Sequence, residues 1–208
     1  MRLKHFITEG KSIDIAFIKK LKKECKEYFY ESRQFKKNLP LYRGMKKRIS
    51  TYEIITPRKN RKPLSTDPVV HELLNKEFKK QFGWAARSEA VFCIGDYPPN
   101  IYGERYYMFP IGKFDFLWSR YVTDLAVSLD HSGIFTIDDY KLDPSVPMST
   151  VNDVIFQLVS TYQDDDFLAA LRSGCEIMLR CKKYYVLNVK VVESSAEIYE
   201  ELFRGDLP

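Results

Sequence analysis

The stretch Glu176-Ile177-Met178-Leu179-Arg180-Cys181-Lys182-Lys183-Tyr184-Tyr185-Val186-Leu187-Asn188-Val189 decides the fold class. Two apolar runs of strand length, the second rich in aromatic and β-branched residues, flank Lys182-Lys183 and predict a β-hairpin. Toward the N-terminus, Ala90-Val91-Phe92-Cys93-Ile94, Tyr106-Tyr107-Met108-Phe109-Pro110 and Phe114-Asp115-Phe116-Leu117-Trp118 have the same texture and predict three more strands. Between Trp118 and Glu176, residues 151–160 are apolar on one side and predict a helix. Asp165 to Leu171 predicts a shorter helix, broken at Ser173-Gly174.

The first third of the chain has helical spacing instead. Phe17, Ile18, Leu21, Cys25, Tyr28 and Phe29 recur on one face of residues 12–37, with lysines on the other, and predict an amphipathic helix ended by Asn38-Leu39-Pro40. Leu41-Tyr42-Arg43-Gly44 predicts a short strand running into a turn. Residues 45–67, polar and basic with Pro57 and Pro63, predict a loop. Asp67-Pro68 then supplies an N-cap and a first-turn proline for a second helix through Val70, Leu73, Leu74 and Phe78, ending near Gly83. The expected class is α+β: a split, mostly antiparallel β core with an N-terminal helical region, in one domain over residues 10–208.

A chain of 208 residues with 45% hydrophobic residues can bury one sizeable core, which excludes intrinsic disorder. The four cysteines form no CxxC pair, and none sits beside histidines at ligand spacing. They are expected to be reduced core residues of a cytoplasmic protein, with no metal site. No apolar stretch is long enough to span a membrane, and Met1 to Gly10 lacks the apolar segment of a secretory signal. The formal charge of +5 has its excess early, in Lys19-Lys20, Lys22-Lys23, Lys36-Lys37, Lys46-Lys47-Arg48 and Arg58-Lys59-Asn60-Arg61-Lys62. Such a surface attracts nucleic acid, nucleotides or acidic proteins, although the Lys19 to Lys37 group reads equally as a solvated helix face.

Three separated pieces carry the candidate chemistry: Leu41-Tyr42-Arg43-Gly44, Ser65-Thr66, and Glu176-Ile177-Met178-Leu179 with its downstream aromatic strand. In this order they resemble the arginine, serine and glutamate motifs of the ADP-ribosyltransferase superfamily, over roughly residues 39–190. In that family the arginine ends the first core strand, a Ser-Thr pair opens the second, and the glutamate begins a late strand. The resemblance implies an enzyme that cleaves NAD and transfers ADP-ribose to a host protein or nucleic acid. Glu176 would be catalytic, and Tyr42, Arg43, Gly44, Ser65 and Thr66 would bind NAD. The residue types suit the chemistry. A guanidinium grips phosphate or ribose through a fixed fork of donors, and a carboxylate stabilises an oxocarbenium-like state. Arg58, Lys59, Arg61 and Lys62 lie between two of these motifs and are the expected contacts to a phosphate-rich acceptor; a solvated loop is the other reading.

The chain also departs from the family. Many arginine-modifying members carry Glu or Gln two residues before the catalytic glutamate, where this chain has Gly174. That argues against arginine as the acceptor. The serine motif is short, because Asp67 follows Thr66.

Met1 to Gly10 resembles the capsid-targeting leader of internal head proteins from T-even-like phages, which is cut after a glutamate with Ile or Leu two positions before it. Ile7-Thr8-Glu9-Gly10 fits that rule. It implies a cleavable leader over residues 1–9, a phage head-maturation protease as partner, and passage from the virion interior to the host cytoplasm in host takeover. The alternative function is a non-catalytic packaged basic protein that binds nucleic acid or inhibits a host enzyme. A third reading, a nuclease, would have Asp164-Asp165-Asp166 and Glu176 share a cation; acidic residues at a helix start serve the helix dipole equally well. His71 and His131 read as structural or exposed, since the sequence suggests no Ser or Cys partner for either.

Overall fold

A computed structural model describes residues 12–61, 66–95, 103–136 and 141–204. The N-terminal region begins with helix α1 (Ile15–Glu24), capped by the Asp14 carboxylate, which accepts from the Phe17 N–H at 2.7 Å. The expected single helix over residues 12–37 breaks at Cys25 and continues as α2 (Lys26–Glu31). Residues 33–38 then fold as a small hairpin of β1 (Arg33–Gln34) and β2 (Lys37–Asn38). Phe35 takes a left-handed φ of 54° at its tip, and the buried Asn38 amide donates to the Phe29 carbonyl and the Ser32 hydroxyl. Helical spacing cannot foresee this, because a side chain supplies the stop signal from beyond the helix.

The main sheet begins with β3 (Tyr42–Met45) and β4 (Tyr52–Ile55). The second strand lies inside the stretch expected as a loop; Tyr52, Ile54 and Ile55 form a short apolar signal in a four-residue edge strand, within polar and basic surroundings. Helix α3 (Pro68–Phe82) follows, with Asp67 accepting from the Val69 N–H and Gly83 as its left-handed C-cap, as the sequence predicts. Next come α4 (Ala86–Glu89), β5 (Val91–Ile94), β6 (Glu104–Pro110), β7 (Phe114–Trp118), α5 (Leu125–Asp130), α6 (Met148–Val159) and α7 (Phe167–Arg172). The chain closes with β8 (Glu176–Cys181), β9 (Tyr184–Asn188), α8 (Val189–Glu193) and α9 (Ala196–Phe203). The protein is α+β, and among the described residues seven strands form an antiparallel sheet in the order β4-β9-β6-β3-β5-β8-β7.

Alternation along β8 assigns the two faces. Ile177 and Leu179 enter an apolar cluster with α1, α2, α7, α8 and α9, whereas Met178 enters a second cluster with α3, α4, α5 and α6. Within the sheet, β4-β9-β6-β3 form one half and β5-β8-β7 the other. Among the described residues these halves share a single register pair, Tyr42 with Ile94. The neighbouring β3–β6 and β5–β8 pairs each run over four residues. The split is thus a narrow seam in a continuous strand order.

Just past β5, Gly95 lies against the end of α7. A Cβ there would fall 1.9 Å from the Leu171 carbonyl oxygen, a backbone atom that cannot swing aside. Gly95→Ala is expected to destabilise the fold by about 1–3 kcal/mol, as overpacking against backbone does. Urea denaturation checks this; an unchanged midpoint would show that α7 is free to retreat.

Candidate functional site

The seam exposes strand edges that β3 and β5 would otherwise cover for each other. Where the two strands part, the Phe92 carbonyl accepts from Arg43 Nη1 at 3.3 Å. The Arg43 guanidinium also lies 5.7 Å from the centre of the Tyr184 ring, and its Nε is buried without a partner. Two more guanidinium groups stand over the Phe92 ring: Arg61 at 4.3 Å and Arg87 at 4.9 Å from its centre. Cation–π attraction holds each of them to the ring. Arg87 Nη2 reaches the Thr66 hydroxyl at 3.5 Å, and Arg87 Nε is buried without a partner.

Glu176 stands at the first position of β8, paired in register with Ile94. It lies two residues before Met178 and therefore on the same face. Gly174, with φ 67°, turns the chain out of α7, and the Glu176 N–H donates to the Thr123 carbonyl at 2.9 Å. The carboxylate is only 17% exposed. Arg87 Nη1 approaches Glu176 Oε1 at 3.9 Å, an ion pair too long for a hydrogen bond, and Oε1 is left buried without a hydrogen-bond partner. Desolvation pushes the carboxyl up to about 7, with nearby Asp124 adding to the rise; Arg87, Arg61 and the Leu125 backbone oppose it. The buried Tyr162 hydroxyl is likewise unpartnered and lies within electrostatic reach of Glu176, Arg87 and Asp124.

The charges do not balance. Desolvation lowers the Arg61 pKa, and the like charges of Arg87, Arg43 and Arg58 add to the shift, which Glu176 opposes. Three guanidinium groups, of which Arg43 and Arg87 have unused Nε donors, stand beside Glu176, which holds its proton near neutrality, and nearby Asp124. Such an arrangement can bind a ligand with more than one negative charge, and it leaves an acid–base group beside the bound anion.

Of the residues expected from sequence, Arg43, Thr66, Arg61 and Glu176 converge here. Arg61 stacks on the Phe92 ring while remaining exposed, as are Arg58 and Lys59 next to it. Tyr42 is corrected: it is 5% exposed and packs on Tyr107 in the core, because alternation along β3 turns it away from Arg43. Gly44 sits within β3 in register with Arg105. Ser65 and Lys62 lie outside the described residues, as does the leader over residues 1–9. Thr66 leads into helix α3 and not into a strand, and Asp67-Pro68 signals that helix start in the sequence. Arg87 and Ser88 lie in α4, ahead of β5. His71, read as lacking a partner, has Ser88 Oγ 3.0 Å from its Nε2.

Asp166 caps α7, its carboxylate accepting from the Ala169 N–H, and among the described residues no three His, Cys, Asp or Glu side chains gather as a metal site. That removes the geometry the nuclease reading needs. Among the described residues no helix is long and apolar enough to cross a membrane. A hollow of about 760 Å³ lies apart from the cluster, between residues 48–53 and Glu104, Asn188 and Lys190. There Arg48 pairs with Glu104 and Lys47 with Glu53. Comparison with protein-family models, with curated proteins and with solved structures finds no match for the chain.

The raised value of Glu176 has a consequence for stability. Between the ordinary value of 4.5 and about 7, the folded protein keeps a proton that the unfolded chain has lost. Stability contributed by this group therefore falls as pH rises through that window and stays lower above it. Glu176→Gln is expected to flatten that slope and to exceed wild type at pH 8 by on the order of 1–3 kcal/mol. Denaturation of both proteins at about pH 5.5 and 8 measures it; identical slopes would place Glu176 in a solvated environment.

Proposed function

We propose that the chain cleaves NAD and transfers the ADP-ribose to a macromolecular acceptor. The observation that carries this reading is the convergence of Arg43 and Glu176 at the seam, with Arg61 and Arg87 between them on the Phe92 ring. The guanidinium groups suit the pyrophosphate. Glu176, once ionised, suits the ribose and the oxocarbenium-like state formed as the nicotinamide bond breaks. The motif order seen in the ADP-ribosyltransferase superfamily supports the same roles for Arg43 and Glu176. Arg58 and Lys59 are exposed beside the cluster and favour a phosphate-rich acceptor such as nucleic acid.

The test is incubation with labelled NAD and host lysate, with the label followed into protein, DNA and RNA. Glu176→Gln should lower NAD cleavage by on the order of 10²-fold or more. The wild-type rate should climb about tenfold per pH unit below about 7 and level off above it, because the carboxylate is the active form. A folded Gln variant that cleaves NAD like wild type removes the assignment. Tight nucleic-acid binding with no NAD cleavage would instead favour the non-catalytic packaged protein.

The Ile7-Thr8-Glu9-Gly10 pattern adds a route of delivery to this proposal: packaging in a phage head, cleavage after Glu9 and entry into the host cytoplasm. Mass spectrometry of virions should find the chain beginning at Gly10. Finding only the full-length chain, or none, removes the packaging step and leaves the enzymatic proposal in place.

A further inference from the structure

Behind the arginines lies a polar network that the proposed chemistry does not use. Helix α3 presents His71 and Asn75 one turn apart, and α4 presents Ser88 to both. Asn75 Nδ2 stands 2.8 Å from Ser88 Oγ and 3.0 Å from His71 Nε2, while Asn75 Oδ1 accepts from the Ser88 N–H at 3.1 Å. His71 Nε2 and Ser88 Oγ are 3.0 Å apart. With the Asn75 amide donating once to Ser88 Oγ and once to His71 Nε2, Nε2 bears a lone pair and the neutral imidazole carries its proton on Nδ1, which is buried without a hydrogen-bond partner. Burial and the charges of Arg87 and Arg61 also favour the neutral ring.

Ser88 is tied to both arginines that stand over Phe92. It follows Arg87 directly in the chain, and its carbonyl accepts from the Arg61 N–H at 3.1 Å. Arg61 arrives from a segment without regular structure, just after Asn60 turns through a left-handed φ of 56°. The Ser88 carbonyl is therefore a backbone anchor for Arg61 beside the cluster. Two like-charged groups sharing one ring repel each other, so their placement needs a fixed frame.

We infer that His71 and Asn75 are positioning residues which, through Ser88, hold Arg61 and Arg87 over the Phe92 ring as a two-guanidinium clamp for a phosphate dianion such as pyrophosphate. The inference rests on the arginine site of the proposed function but not on catalysis. The imidazole touches no ligand; it fixes the serine whose carbonyl and preceding side chain form the clamp.

The experiment is titration calorimetry of the full chain with inorganic pyrophosphate at low salt. Wild type should bind, more weakly as salt rises. Ser88→Ala and His71→Leu should each lose roughly tenfold in affinity, the size expected when a charge-assisted contact is misplaced. Ser88→Thr, which keeps the hydroxyl, should retain binding. The decisive arm is a double-mutant cycle: in an Arg61→Ala background, Ser88→Ala should add less than its own loss, because its effect passes partly through the arginine already removed. A purely structural role predicts losses that multiply. Should His71→Leu melt out, Asn75→Ala reads the same link from the other side of the serine. Absent pyrophosphate binding, full binding by Ser88→Ala, or fully multiplicative losses each overturn the inference. Pyrophosphate binding with coupled losses but no NAD cleavage would keep it and discard the transferase reading instead.

Discussion

The site depends on the point where Tyr42 meets Ile94 and the sheet nearly parts. A sheet with full pairing between β3 and β5 would spend its backbone groups on its own ladder. Here the strands diverge after one pair, and the Phe92 carbonyl takes a guanidinium donor in place of a strand. Flanking pairs of four residues on each side keep the two halves rigid, so the opening is narrow and fixed in place. The two apolar clusters add to this, since α7 and the N-terminal helices press on one face while α3 to α6 press on the other. A functional group on β3 and another on β8 are thereby brought to the same opening from positions far apart in the chain.

Charge crowding at that opening is the second constraint. Guanidinium groups are weakly hydrated and stack on aromatic faces, so Phe92 can hold Arg61 and Arg87 together where a lysine pair would stay in solvent. Their mutual repulsion is only partly relieved by Glu176, because the carboxyl's own burial keeps it near its point of protonation. The site thus has spare positive charge, unused N–H donors on Arg43 and Arg87, and an unpartnered carboxylate oxygen. A ligand phosphate that engaged Arg87 would loosen its 3.9 Å contact with Glu176 and leave the carboxylate to face the rest of the ligand.

How much of this the sequence discloses follows from where each signal is written. The terminal hairpin, the three earlier strands and α3 carry local patterns, and all five stand where their residues predict them. Arg43, second in β3, and Glu176, first in β8, were legible as charged residues beside an aromatic or apolar run. Thr66 leads into α3 and not into a strand, as Asp67-Pro68 signals locally. The strand order that sets β5 between β3 and β8 is not written locally. Arg87 and Phe92 were missed for the same reason. The break at Cys25 and the hairpin after Ser32 depend on Asn38, a side chain that acts back across the turn.

Gly174 shows how the backbone narrows the acceptor under the proposed reading. Its φ of 67° ends α7 and aims β8 so that Glu176 begins the strand. A Cβ at this position would meet nothing within 4 Å, so space does not forbid a side chain. The left-handed backbone does the excluding, since a non-glycine residue there costs roughly 1–2 kcal/mol. A Glu or Gln two residues before the carboxylate would therefore strain the turn that positions Glu176. The chain offers one carboxylate at the strand start, with exposed Arg58 and Lys59 beside the arginine cluster. An acceptor suited to that geometry brings its own negative charge to the basic rim and presents its reacting atom to Glu176 without help from a second acidic group. A nucleic acid meets both conditions more directly than an arginine side chain, whose positive charge the rim would repel.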